Sequence, residues 1–479
     1  MTTDSATGAA PSQARQKPLI RDEKKRDSKT IARSYHLPPT TNLSTHDITG
    51  PTLHVQKGNG IYIYDDEGKE YIEGMSGLWN VSLGFSEKRL VEAATKQLNE
   101  LPYYHLFSAK AHDPAIDLAE GLIKIAPWAS KVFFANSGSE ANDTVVKMVW
   151  YYNNALDRPK KKKIFSRIKA YHGIAVGSGS LTGIPKNHAD FDLPIKNIYH
   201  TSCPHYYRYG REGESEEEYA TRLAEEFEKM VVEQGGAEEC AAFIAEPVLG
   251  AGGVIVPPKT YYAKMQAIVK KYDMLWIDDE VICGFGRLGD MWGAETLDIK
   301  PDILVSSKAI SNAYLPLSCV MVADNVYQVL VTQSKKHGVF AHGFTGSGHP
   351  VACAVALEVL KIYEERAIVQ HVKDVVPHFW EKLKTFEGHP LVGEVRGIGL
   401  IAALECVKDK ATKEAFDAGL GVGAKVAEFA QTHGLIVRNL GDSIALCPPL
   451  IITEAQIDEL LSRLSKALDD TLEWVKAKR

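Results

Sequence analysis

The chain has 479 residues, 45% of them hydrophobic and 24% charged, which is ordinary for a globular protein and long enough for two or three domains. With 55 basic against 61 acidic residues the net charge is −6, so there is no basic footprint for nucleic acid or an anionic membrane surface. No run approaches the ~18 consecutive apolar residues of a membrane helix. The seven cysteines (Cys203, Cys240, Cys283, Cys319, Cys353, Cys406 and Cys447) are scattered and form no Cys-x-x-Cys pair. That pattern predicts reduced core thiols in a cytoplasmic protein and neither a disulfide frame nor a zinc site.

Residues 1–33 are rich in Ser, Thr, Ala, Gln and charge, with no apolar h-region, and read as a flexible N-terminal arm and not as a secretory signal. In residues 34–85, the N-terminal part of a small domain, Gly60–Glu73 carries two β-prone runs around an Asp/Gly turn and predicts a hairpin. Residues 86–345 read as a large domain. Its short apolar runs Lys131–Ala135, Ile164–Ile168, Ala241–Ala245, Met274–Ile277, Ile303–Val305 and Cys319–Val322 alternate with amphipathic stretches of helical length, among them Glu140–Asn154, Glu217–Glu233 and Thr260–Lys271. Unbroken apolar strands alternating with helices predict an α/β fold with a mostly parallel sheet covered on both faces. Residues 346–479 return to a helix-rich texture, with a Gly-rich segment at Val392–Gly399 and an amphipathic helix at Glu454–Lys476, and complete the smaller α+β domain from both chain ends.

Several segments of the large domain carry chemistry. Asn136-Ser137-Gly138-Ser139-Glu140 follows a strand and opens a helix, so backbone N–H groups, the helix dipole and the Ser139 hydroxyl form an anion site suited to phosphate. A plain serine N-cap is the other reading of the same residues. Tyr171 and His172 follow the next strand, where an aromatic side chain fills core or stacks on a planar ring. Asp279-Glu280-Val281 ends an apolar run, and no histidine stands near it at metal-ligand spacing. Lys308 follows another apolar run, 29 residues after Asp279. A lysine and an aspartate, each delivered by the end of a buried strand, are what holding pyridoxal phosphate requires: an amine for a Schiff base and a carboxylate for the pyridine nitrogen. Val281, two residues past Asp279, would face the same side. His342–Pro350 is a Gly/Ser/Thr loop running into a helix with proline in its first turn, a second candidate set of phosphate donors.

Taken together, Asn136–Asn142, Trp276–Leu288, Ser307–Leu317, His342–Ala354 and Val437–Leu450 resemble the class III, fold-type-I PLP-dependent aminotransferases, in particular their ω-amine:pyruvate branch, from about Asn42 to Ala467. The resemblance implies Lys308 as the Schiff-base lysine and general base, with Asp279 as partner of the pyridine nitrogen. Tyr171, with His172 beside it, would stack on the ring and Val281 support its other face. Ser137, Gly138 and Ser139 would form the phosphate cup, and Glu246 an active-site carboxylate. Phe344 and Thr345 would serve the phosphate of the neighbouring subunit, which implies a homodimer. Arg438 would bind a substrate carboxylate, and Leu78, Trp79 and Phe107 would line the pocket.

The implied reaction is a ping-pong transfer of an amino group from a primary amine, of hydrophobic ω-type, to a keto acid such as pyruvate. The alternatives are an amino-acid transaminase for 4-aminobutyrate, β-alanine or ornithine, or a PLP-dependent decarboxylase or aminomutase on the same fold. Two positions depart from the family pattern: Ala309 stands where glycine is usual, and Gly346 where a larger residue is common, which predicts a wider mouth to the site.

Overall fold

The structure, a computed structural model, describes residues 27–478. Most of the arm expected at residues 1–33 therefore lies outside the described residues. The described residues divide into two compact units, residues 27–56 with 65–68, and residues 57–64 with 69–478. Within the first, helix Ser28–Tyr35 is capped by Asp27, whose Oδ1 accepts from Thr30 N at 3.1 Å, and helix Leu43–Thr49 is capped by Asn42. Arg33 Nη1 donates to Ile48 O at 3.2 Å and so joins the two.

The second unit is built on a seven-stranded sheet in the spatial order Ala129–Ala135, Ser318–Ala323, Ile303–Ser306, Leu275–Asp279, Cys240–Ala245, Lys163–Arg167, Ile198–Thr201. Ser318–Ala323 runs antiparallel to both its neighbours, and the remaining pairs are parallel. The central strands are buried on both faces, because alternate side chains feed separate cores. Ile164, Ile277 and Val305 pack with Ala141, Val145 and Val149 of helix Gly138–Ala155. Phe165, Trp276 and Leu304 pack on the other side with Tyr219 and Phe227 of helix Glu216–Glu233. Helix starts follow from local chemistry: Ser215 and Glu218 form a capping box for Glu216–Glu233, Thr453 and Gln456 one for Glu454–Lys476, and Pro350 occupies the first turn of Pro350–Glu365.

The expected hairpin forms as Tyr62–Asp65 against Glu70–Glu73, and the latter pairs in parallel with Leu435–Ile436, so both ends of the chain build the same small sheet. A second small sheet has the order Val392–Ile398, Ile401–Cys406, Ser443–Leu446, Arg438–Leu440. All seven cysteines are buried and unpaired. Among the described residues, no helix is long and apolar enough to cross a membrane.

Candidate active site

In a parallel sheet every strand points its carboxyl end to the same edge, and ligands bind outside that edge. Here the edge gathers Asp279 at the end of Leu275–Asp279, Glu246 just past Cys240–Ala245, Tyr171 and His172 past Lys163–Arg167, and Lys308 past Ile303–Ser306.

Asp279 and Glu246 are each 2% exposed. A buried carboxylate is costly unless its oxygens are occupied, and donors meet both. Asp279 Oδ2 accepts from Asn142 Nδ2 at 2.8 Å and lies 2.8 Å from His172 Nδ1, while Oδ1 accepts from Val281 N at 3.1 Å. Asn142 Nδ2 also donates to His172 O at 2.7 Å, so one amide holds both residues. Glu246 Oε1 accepts from Tyr171 N at 2.9 Å and Oε2 from Gly250 N at 3.0 Å. Burial nevertheless pushes the Glu246 carboxyl above the usual range, with Asp279 adding to the push and His172 opposing it.

Lys308 sits at φ +51°, left-handed backbone that costs a side-chain-bearing residue on the order of 1 kcal/mol. The turn after it is pinned by Asn312, which donates to Gly84 O at 3.0 Å and accepts from Leu83 N at 2.8 Å. Burial lowers the Lys308 amine, and Asp279 and Glu246 counter part of that shift. Ala309 needs no glycine: it lies inside the 3-10 turn Lys308–Ser311 at ordinary dihedral angles, with its methyl group in the main core. Strain falls on the lysine and not on its neighbour.

The start of helix Gly138–Ala155 closes the cluster. Ser137 caps it, accepting from Glu140 N at 3.2 Å, and the first intrahelical bond runs from Ala141 N to Ser137 O. The N–H groups of Gly138 and Ser139 precede that bond and are the donors an anion would take. A Cβ on Gly138 would stand 3.2 Å from Val281 Cγ2, so glycine lets this cradle approach the valine. Ser139 Oγ accepts from Ile174 N at 3.1 Å, which ties the helix start to the Tyr171–Gly173 segment. Anion donors at a helix start, a buried carboxylate ready for a cationic nitrogen and an amine of lowered basicity fit pyridoxal phosphate.

Arg438 reaches this cluster from strand Arg438–Leu440. It is half-buried, which lowers its basicity, and the Tyr171 hydroxyl is the titratable group that opposes this. No carboxylate pairs with it among the described residues. Trp79 is 3% exposed, within an apolar cluster of Met75, Val248, Val254, Ile282 and Cys283, whereas its neighbour Leu78 is 52% exposed. Phe107 meets the other loop: a Cβ on Gly343 would stand 3.3 Å from Phe107 Cζ, and Tyr103 Oη donates to Thr345 O at 3.0 Å. That loop, with Phe344 and Thr345, is fastened to helix Gly138–Ala155 by His342, which lies 2.8 Å from both Thr144 Oγ1 and Lys147 Nζ. The expectation of a wider mouth at Gly346 is corrected. A Cβ there would fall on the Asn136 side-chain oxygen, and Asn136 is held by Glu140 Oε2 at 2.8 Å, so the space is filled.

Three features of the cluster escape sequence reasoning. Asn142 is four residues past Gly138 on the helix face turned inward, the only outward sign of its bonds to Asp279 and His172. Asp278 and Glu280 flank Asp279 and are fully buried. Asp278 points to the opposite face of the strand, where neither of its oxygens nor Glu280 Oε2 has a hydrogen-bond partner among the described residues, the setting expected of a carboxyl pair that shares a proton. Burial raises both groups, Glu280 to about 7. A carboxyl that stays protonated when folded but ionises when unfolded costs stability as pH rises above about 4. Asp278→Asn is therefore expected to stabilise the fold, by on the order of 1 kcal/mol per pH unit from about pH 4 upward until the pair ionises. Urea unfolding at pH 4.5 and pH 7 measures it; an equal effect at the two pH values would refute the shared proton.

Comparison with known proteins agrees with this geometry. The family model described as Aminotransferase class-III matches residues 44–468. Gamma-aminobutyrate transaminase 1, mitochondrial, of Oryza sativa subsp. japonica is 53% identical over 425 residues, covering 88% of this chain and 82% of the relative. Gamma aminobutyrate transaminase 3, chloroplastic, of Solanum lycopersicum is 52% identical over 421 residues, covering 88% and 81%. The omega transaminase from Pseudomonas jessenii in complex with PMP superposes with a TM-score of 0.92 at 53% identity, covering 94% of this chain and 99% of that one. The PMP-bound aminotransferase from Vibrio fluvialis gives a TM-score of 0.91 at 44% identity, covering 94% and 99%.

Proposed function

Since the chain belongs to the class III aminotransferases, enzymes that use pyridoxal phosphate, we propose that it moves an amino group from a terminal (ω) primary amine to a short keto acid such as pyruvate. The observation that carries this reading is Arg438, a half-buried guanidinium without a carboxylate partner among the described residues, beside Tyr171. A guanidinium fork binds carboxylate in two parallel hydrogen bonds, so it suits a keto acid.

When bound, pyridoxal phosphate supplies an electron sink that acidifies the carbon carrying the amine. The chain's own residues do the rest. Gly138 and Ser139 offer backbone donors, and Ser139 its hydroxyl, to the phosphate. Asp279, kept in place by Asn142 and His172, presents negative charge to the ring nitrogen. Tyr171 and Val281 would bound the ring from its two faces. Lys308 Nζ would hold the cofactor covalently, and its free amine would move the proton at the substrate carbon. Its lowered basicity favours the neutral amine for both tasks. Leu78 and Phe107, both exposed, would supply apolar surface to the donor, with Trp79 buried behind Leu78, which favours an apolar donor. We also propose a homodimer in which Phe344 and Thr345 complete the partner's phosphate site. Thr345 is exposed here, and its loop is anchored from behind by His342. Seven buried free thiols support a reducing compartment.

A second reading, 4-aminobutyrate as donor, is favoured by the identity to the plant transaminases. This donor also carries a terminal amine, but Arg438 would bind its distal carboxylate. Half-reactions followed by the visible absorbance of the bound cofactor separate the two. An apolar amine such as hexylamine, and 4-aminobutyrate, are each offered to the enzyme, and pyruvate is then used to restore the absorbance. Arg438→Ala is expected to raise the KM for pyruvate about 10- to 100-fold, the loss of a charge-assisted pair, and to leave hexylamine nearly unchanged. A parallel loss for 4-aminobutyrate selects the second reading; an unchanged pyruvate KM would sink the assignment of Arg438.

A further inference from the structure

The Gly-rich segment Val392–Gly399 takes no part in the chemistry above, yet it carries Arg396, 8% exposed and the hub of a buried charge cluster. Arg396 Nη1 lies 2.7 Å from Glu394 Oε2 and 2.7 Å from Glu405 Oε2. Nε and Nη2 donate to Gly253 O at 2.9 and 2.6 Å, and Nη2 also donates to Ser443 Oγ at 2.9 Å. Arg208 Nε donates to Glu405 Oε1 at 2.7 Å, and His205 Nε2 lies 2.9 Å from Glu394 Oε2. His205, Glu394 and Glu405 are close enough together to suit a metal ion, but two guanidinium groups already balance the two carboxylates. Burial alone would raise Glu405; Arg396 and Arg208 overcome it and hold this carboxyl down to about 2.

The two ends of this cluster touch the active site from different elements. Gly253 closes the turn that begins at Gly250, whose N–H holds Glu246 Oε2 at 3.0 Å, and Glu246 in turn holds Tyr171 N at 2.9 Å. Ser443 is paired with Leu440 on the strand that carries Arg438. One guanidinium thus bonds both to the turn that follows Glu246 and to Ser443, on the strand paired with the one that bears Arg438. We propose that Arg396 is a positioning residue, a clamp that sets the span between Arg438 and the Tyr171–Glu246 wall and so tunes recognition of the substrate carboxylate. The KM consequences rest on the reading of Arg438 given above; the clamp itself does not.

Arg396→Met, Arg396→Lys and Ser443→Ala test it, with Arg438→Ala as reference. Backbone hydrogen exchange should quicken by about tenfold or more in Arg438–Leu440 and stay unchanged in Leu275–Asp279. The KM for pyruvate should rise at least about tenfold in Arg396→Met and less in the other two. The KM for hexylamine and the cofactor affinity, titrated by visible absorbance, should hold within about threefold. Arg396→Lys keeps the charge but lacks the fork, and Ser443→Ala removes the Arg396–Ser443 bond together with the Ser443–Glu405 bond while leaving Arg396 in place, so these two decide the matter should Arg396→Met not fold. Unchanged exchange in Arg438–Leu440 would overturn the clamp. So would an equal rise of both KM values, or a pyruvate KM that responds to Arg438→Ala but not to these variants. If Arg438→Ala itself leaves pyruvate unaffected, the carboxylate reading fails, and the exchange measurement alone still decides the clamp.

Discussion

Lys308→Ala is expected to lower turnover by about 10⁴-fold or more, the upper end of what a positioned acid–base group contributes, with covalent attachment lost as well. The visible absorbance of the bound cofactor should disappear with it. The backbone supplies a control. Lys308 lies at φ +51°, so Lys308→Gly removes the amine and relieves the strain together. Glycine should therefore be as inactive as alanine yet at least as stable, which separates loss of chemistry from loss of fold. Lys308→Arg keeps charge and reach but cannot shed a proton near neutral pH, and should be inactive too. Burial holds the amine below its ordinary basicity against the pull of Asp279 and Glu246. The neutral, reactive form therefore appears at lower pH than for a free lysine. Cofactor capture by the apoenzyme should accelerate with rising pH, with a midpoint below about 10.4. Turnover above a few per cent in the arginine variant, or a midpoint above the free-lysine value, would remove Lys308 from this role.

Much of this architecture is legible in the chain because the sheet is buried on both faces. Ala241–Ala245 reads as an apolar run and is found as Cys240–Ala245; Ile303–Val305 is found as Ile303–Ser306. The edge strand Ile198–Thr201 escapes the same reasoning, since Tyr199 and His200 interrupt the apolar pattern where one side of the sheet ends. Lys308, Asp279, Glu246 and Tyr171 are far apart in sequence but share one local sign, a polar or aromatic residue just past an apolar run, and parallel pairing places such residues at one edge. What stays hidden is whatever depends on partners from distant segments. Nothing near Asn142 announces Asp279, and nothing in Val392–Gly399 announces Gly253 or Ser443. A comparison of residue types at Gly346 predicts open space, and only the distance to Asn136 shows it filled.

Asp279→Asn is expected to reduce kcat by on the order of 10³-fold, the scale of losing a preorganised electrostatic contact in a water-poor site. The reason lies in how the carboxylate is held. Its bonded neighbours are an amide, an imidazole and a backbone N–H, and none of the three is a lysine or arginine. His172 Nδ1 lies 2.8 Å from Asp279 Oδ2, and its Nε2 is buried without a hydrogen-bond partner among the described residues. The fold thus orients the Asp279 carboxylate charge without a lysine or arginine bonded to it, which favours an arriving cation. Asparagine has the same shape and removes that charge. Its oxygen can satisfy Asn142 and His172 only by placing its NH₂ at the Oδ1 position, against the Val281 N–H, where a donor would meet a donor. Cofactor affinity should fall together with kcat, and Asp279→Glu should recover only part of the loss, because the added methylene shifts the carboxylate away from Asn142, His172 and Val281 N. Asn142→Ala, which removes one of the three holding bonds and leaves the charge, should cost about tenfold. Steady-state rates and absorbance titrations across these variants rank charge above orientation. An Asp279→Asn enzyme within tenfold of the parent would mean that the ring nitrogen finds its partner elsewhere.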